Sequence, residues 1–583
     1  MKKIIILIVI AGISLNGCYD LNTYPGDKLN QGLFWKTADQ AKQAMMGVYA
    51  VMRDVNAYGV QFQYDMLGDI AYGFVANYNF NNYLGGNYTD RDNTLSAKWQ
   101  TTYEGIQSAN NVIRHVSNMS SLDEDTKGEL IAEAKFLRAL FYFTLLDLWG
   151  GVPYYDETTN VNADYANMKK PRSTADEIRS YILSDLNEAI SKLRVTWTDS
   201  DYGRATKGAA YALRGKVYLY NQEWKNAISD FEEVIYNKSN NYGYGLDPDY
   251  ANIFKLYNGA KSNEMIFAIQ NKSGVGTNYG MPYNLYLGTR NSYGSCRNFS
   301  MPSTAFVDMY EYPDGKPFNW EDIFPGYNDT PTANGERAAK RMGYMSVQMT
   351  AGKVTGLRNA DTTKILNAYK NRDPRLMATI IVPYSTYKGW AGNLPKDMLF
   401  ALDNNTQGNA SAGTMQNDAG WITYFWRKFV TEYDLGGVIT SREQIPFAFP
   451  LIRYADVLLM LSEAYNENGQ LDKSIIELNK VRTRPSVHMP GLNSGPEWLA
   501  VTTKDQMTER IRKERAIELA IEGHRFSDLR RWGIAVETLS NVVAVNIWGN
   551  ALYTHKFTQR DTLWPIPAVE IERNPALVQN PGW

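Results

Sequence analysis

The chain has 583 residues, a formal net charge of -2 and a pI near 6.2. So even a balance argues against nucleic acid as a partner, because phosphate binding needs a concentrated basic surface. Its two cysteines and four histidines (His115, His488, His524, His555) show no metal-ligand spacing, so no zinc signature and no cofactor is implied.

The first segment is an export signal. Lys2 and Lys3 precede an apolar run from Ile4 to Leu15, and Gly17 stands before Cys18. The run is too short for a bilayer core, which needs about twenty apolar residues. Residues 1–17 are therefore expected to be removed. The Gly17-Cys18 junction resembles the lipobox of bacterial lipoproteins, in which Cys18 would be acylated and become the first mature residue. Cys296 is then left without a disulfide partner and is expected to be a buried small apolar residue.

Residues 18–36 are polar, hold Pro25 and Gly26, and read as a tether. Thr37-Ala38-Asp39-Gln40 is a capping box, and Ala41, Met45, Val48 and Met52 follow at helical spacing. Tyr58 to Thr94 carries no apolar stripe and includes the Tyr- and Asn-rich run 78–88, which predicts a long functional loop. Helices are predicted over Trp99–Val116 and over Asp125–Trp149, the second ended by Gly150, Gly151 and Pro153. Thr174 and Glu177 cap a further helix bearing Ile178, Ile182, Leu186, Ile190 and Leu193.

Two helices broken near Asn221-Gln222-Glu223 carry Gly215, Tyr218, Trp224, Ala227 and Phe231, the spacing of a tetratricopeptide repeat. Tyr465, Gly469, Ser474 and Leu478 form a weaker copy. Between about Gly243 and Phe449 the character changes. Helical stripes become few, Gly, Pro, Asn and Tyr become frequent, and runs such as Glu264–Ile269 suggest isolated short strands. The fold expected is mainly α: a tetratricopeptide-like helical superhelix over 37–242 and 450–583, interrupted by a loop-rich insertion over 243–449.

Several segments point to one family. They are Ala134–Phe143 with Trp149-Gly150-Gly151-Val152-Pro153, Leu246–Phe254 with Glu264–Phe267, Arg372–Leu376, Ile452–Leu459, Arg512–Phe526 with Asp528–Gly533, and the tail Trp564–Pro567 with Asn580-Pro581-Gly582. In order and from end to end, they resemble the SusD/RagB outer-membrane lipoproteins of Bacteroidetes. The resemblance implies one helical body bearing a ligand-binding region, a lipid anchor at the outer membrane facing the exterior, and a SusC-type TonB-dependent transporter as partner. It implies glycan binding without catalysis, with peptide binding as an alternative for the same architecture.

The basic segment 509–531 is interleaved with Glu509, Glu514, Glu518, Glu522 and Asp528. It reads as a charge network within the scaffold, with Glu509–Lys513 and Arg510–Glu514 at i,i+4 spacing. His524 is expected to be a satisfied polar residue. Asp308, Glu311, Asp314, Glu321 and Asp322 cluster in sequence and leave glycoside hydrolysis as a second alternative. Flat rings beside Asn side chains suit a sugar, whose apolar face stacks while its hydroxyls hydrogen-bond. The ligand-binding candidates are Tyr78, Asn82, Tyr83, Tyr279, Tyr283, Tyr286 and Trp320.

Overall fold

The computed structural model describes residues 34–73, 81–159, 168–255, 261–272, 279–329, 335–357, 361–403, 408–416 and 422–583. The export signal, Cys18 and Tyr78 lie outside the described residues.

Helix α1 (Ala38–Val51) begins at Thr37, whose hydroxyl accepts from the Gln40 N–H while the Gln40 side chain accepts from the Thr37 N–H. Asp92 caps α2 (Asn93–Ser117), which starts a turn and a half earlier than the apolar pattern suggested. Helix α3 (Glu124–Trp149) ends at Gly150, whose φ of +74° suits glycine. Helix α4 (Ala175–Lys192) opens with the Thr174–Glu177 capping box. A hairpin follows, α5 (Lys207–Tyr220) and α6 (Trp224–Tyr236). After the insertion come α7 (Tyr454–Glu467), α8 (Leu471–Arg482) and α9 (Lys504–Glu518).

Each helix from α1 to α6 packs on its successor, and α6 packs on α7. The stack is therefore continuous across residues 237–453, which loop out of it. Strand Met265–Ile269, near the start of that excursion, pairs antiparallel with Phe449–Arg453 at its end. The remaining strands among the described residues are short and paired in twos. The molecule is mainly helical, as expected, with a tetratricopeptide-like frame.

The repeat spacing has a physical basis in this packing. A Cβ on Gly215 would lie 2.6 Å from the Phe231 ring, so α5 and α6 approach as closely as they do because that side chain is absent. In the α7–α8 pair a serine takes the same place. The Ser462 and Ser474 hydroxyls each donate to the other's carbonyl, at 2.8 and 2.7 Å. One expectation fails. The stretch from Tyr58 to Gly73 is no open loop, because Gln61–Leu67 form a tight helical turn whose residues 62–67 are all buried. A turn buried on every side, with Gln63 and Asp65 among its covered residues, leaves no apolar stripe in the sequence.

The charge network is present but is tertiary. Arg453 bonds Glu264 at 2.6 Å, Glu518 at 2.8 Å and Glu522 at 2.7 Å, all with fully buried side chains. Arg484 reaches Glu264 and Glu518, Arg375 reaches Glu514, Glu518 and Asp373, and Lys428 reaches Glu522. Burial pushes the Glu518 carboxyl up, but Arg484, Arg453 and Arg375 together outweigh it and hold it well below the usual carboxylate range. Burial pulls Lys428 down to about 8 against the attraction of Glu522. The i,i+4 pairs expected within α9 do not form. Arg510 and Lys513 instead bond Glu311, Glu514 bonds Arg375 and Arg482, and Glu509 pairs with Arg512. Buried partners outcompete solvated ones because fewer dipoles screen them.

Candidate functional site

A cleft of about 510 Å³ opens where α1 and α2 meet the insertion. Its walls come from four stretches that are distant in sequence. Arg53 and Asp54 follow the end of α1, Thr101 and Glu104 lie on α2, and Tyr279, Pro282, Leu285, Tyr286, Glu443 and Gln444 come from the insertion.

Backbone pairing places the insertion side. Lys272 donates to the Tyr279 carbonyl at 2.9 Å, and Met281 and Ile445 exchange two bonds of 2.9 Å. Gly280 fits between them only as glycine, since its Cβ would lie 2.2 Å from the Gln444 carbonyl carbon. Its N–H donates to Gln444 Oε1 at 2.9 Å, which fixes that side chain at the rim. The Tyr279 ring, 54% exposed, lies under the Arg53 guanidinium at 4.7 Å. Burial lowers the Arg53 pKa from its ordinary value, opposed by Tyr279. Tyr286 packs one flank on Phe62 and Phe299 and turns toward the cleft. Asp54 bonds the Asn56 N–H at 2.7 Å, and Glu104 accepts from Gln100 at 2.8 Å. The cleft therefore offers two phenol rings, several carboxylates, one guanidinium and one amide.

The seven candidates from the sequence separate. Tyr279 and Tyr286 share this cleft. Tyr283, three residues before Tyr286 on the same short helix, does not line the cleft. It is fully buried, stacked on Phe429 at 4.8 Å and against Phe62, so no ring face is open to a ligand. Tyr83 is 5% exposed, stacked on Tyr88 at 4.1 Å, with its hydroxyl on Asp92. Trp320 is 5% exposed, stacked on Tyr327, with its Nε1–H donating to Asp308 at 3.1 Å. These three rings fill space between elements, and their site assignment is corrected accordingly. Asn82 is exposed on the short helix Asn81–Leu84 and does not line the cleft. Sequence reasoning missed Arg53, Asp54, Glu104 and Gln444. Only Gly280, a glycine between a tyrosine and Met-Pro, hinted at close backbone approach there.

The clustered acidic residues have partners within the fold. Glu311 is held by Arg482, Arg510 and Lys513, and Asp322 by Lys316. Glu321 accepts the Gly326 N–H, and Asp314 accepts the Lys316 N–H. His524 is buried, and burial lowers it to about 4. Cys296 is fully buried, which pushes its thiol up to about 12.

The family model described as the SusD family matches residues 263–583. The chain belongs to the SusD family. A second model, described as starch-binding and associating with the outer membrane, matches residues 30–219. Among SusD relatives, the SusD-like protein P2 of Formosa agariphila is 26% identical over the full length of both chains. The starch-binding protein SusD of Bacteroides thetaiotaomicron is 26% identical over 78% of this chain and 72% of its own. A SusD-like protein of Bacteroides fragilis superposes with a TM-score of 0.72 at 23% identity, covering 96% of this chain and all of its own. The SusD fold thus accounts for the interrupted helical stack described above.

Proposed function

We propose that this SusD-family protein is a non-catalytic subunit of a nutrient importer. It is anchored at the outer membrane through lipidated Cys18 and faces the exterior. It captures glycan chains in the Tyr279–Tyr286 cleft and passes them to a SusC-type TonB-dependent transporter. Residues 243–449 form the ligand-binding insertion on a scaffold of 37–242 and 450–583. The observation that carries this reading is the cleft itself, two phenol rings beside Gln444, Glu443, Asp54 and Arg53. A pyranose ring presents C–H groups to a flat aromatic and hydroxyls to a polar rim. The starch-binding relative and the outer-membrane family description agree with it in ligand class and place. Against catalysis stands the occupation of the clustered carboxylates by cations and backbone amides.

Calorimetric titration of the mature protein with α- and β-linked glucans, galactans and mannans tests the reading. At least one should bind saturably, and Tyr279→Ala and Tyr286→Ala should each weaken it about tenfold, roughly 1.4 kcal/mol. New reducing ends in the titration cell would refute the non-catalytic role. A ladder of co-purifying peptide masses, with silence across the glycans, would replace the ligand class.

A further inference from the structure

A second cleft, of about 180 Å³, lies on the helical frame itself. The end of α5 contributes Tyr220 and Gln222, α6 opens it with Trp224, α7 gives Glu463, Asn466 and Glu467, and α9 gives Thr508 and Arg512. Arg531 and Trp532 close it. None of its residues lines the Tyr279 cleft.

Its charges are already matched. Glu463 is paired with Arg531 and accepts the Trp532 Nε1–H at 2.9 Å. Lys504 bonds Glu467 at 2.7 Å, and Arg512 bonds Glu509 at 2.6 Å. Two hydrogen-bonding atoms remain without partners. Asn466 is 2% exposed, and its Nδ2 donates to the Lys504 carbonyl at 3.1 Å and the Thr508 hydroxyl at 3.0 Å. Its Oδ1 has no partner among the described residues, nor has Arg512 Nε. A buried acceptor without a donor is costly, and a ligand hydroxyl would relieve that cost. Tyr220, Trp224 and Trp532 line the same cleft with ring surface. The volume admits one small ring, well below what an extended chain occupies.

We propose that this frame cleft is a second ligand site that takes a single neutral sugar ring, a hydroxyl of which donates to Asn466 Oδ1. The ligand class rests on the glycan reading above; the location does not. Matched charges exclude an ionic ligand, because any net charge would bring an unpaired group into a partly desolvated cleft.

The test uses the full mature chain with D-glucose, D-galactose, D-mannose, D-xylose and N-acetylglucosamine, each followed by saturation-transfer NMR. At least one sugar should bind. Trp224→Ala, which removes a wall, should weaken it at least about tenfold. Thr508→Trp, which fills the cleft from its rim, should do the same, and both losses should persist when Tyr279→Ala is already present. If Trp224→Ala fails to fold, Thr508→Trp decides alone. Binding that survives the frame variants, or that only Tyr279→Ala abolishes, overturns the second site and leaves the first reading standing. Silence from all five sugars also overturns it. Loss of glycan binding at the Tyr279 cleft with this site intact would instead sink the first reading.

Discussion

Replacing Arg453 with methionine should destabilise the protein by about 3–5 kcal/mol, read as a fall in the urea midpoint at unchanged slope. Arg453 contacts Glu264, Glu518 and Glu522, and each of those side chains is fully buried. Methionine keeps most of the volume but removes the charge that makes three buried carboxylates tolerable together. Arg484, Arg375 and Lys428 remain nearby, so collapse is partial: Glu518 keeps two cations and Glu522 keeps Lys428. The control is Arg91→Ala. Arg91 pairs with Glu572 at 2.8 Å, but both side chains are mostly exposed, and the change should stay within about 0.5 kcal/mol. Equal effects from the two substitutions would show that the cluster does not behave as a buried network.

This cluster also explains what was legible in the sequence. Glu264, Asp373, Arg375, Arg453, Glu514, Glu518 and Glu522 come from the separate segments on which the family resemblance was built, and they converge on one place. The tail joins the frame in the same way. Trp149 Nε1–H donates to the Pro565 carbonyl at 2.9 Å, and Asn580 bonds the carbonyls of Trp149 and Trp564. The recognisable motifs are therefore those that hold the frame together. Capping boxes and the Gly215–Phe231 approach were readable because each depends on residues a few turns apart. The cleft was not. Tyr279 and Tyr283 look alike in sequence, yet one is half exposed and the other wholly covered by Phe429, Phe62 and Phe449. Which of them faces outward depends on the pairing of Met281 with Ile445, a contact that residue types do not announce. Arg53 and Glu104 escaped notice for the same reason: they belong to the cleft only because α1 and α2 pack together beside the insertion.

Gly523→Ala is expected to destabilise the frame strongly, for two separable reasons. Gly523 follows Glu522 of the charge cluster and adopts φ +79°, where a Cβ costs about 1–2 kcal/mol. That Cβ would also lie 2.3 Å from the Gln61 carbonyl oxygen, a backbone atom in the tight turn buried beneath it. Relief requires moving either the turn or the Gly523 N–H, which donates to Asp65 at 3.2 Å beside the Arg525 N–H at 3.0 Å. Overpacking of this kind adds about 1–3 kcal/mol, for about 2–5 kcal/mol in all. Gly469→Ala separates the two contributions. Gly469 has nearly the same φ, +75°, but its Cβ would meet nothing within 4 Å. It should lose only the conformational share, about 1–2 kcal/mol. Thermal or urea unfolding of both variants measures the difference. If Gly469→Ala costs as much as Gly523→Ala, steric contact with the Gln61 carbonyl contributes nothing and the turn yields freely.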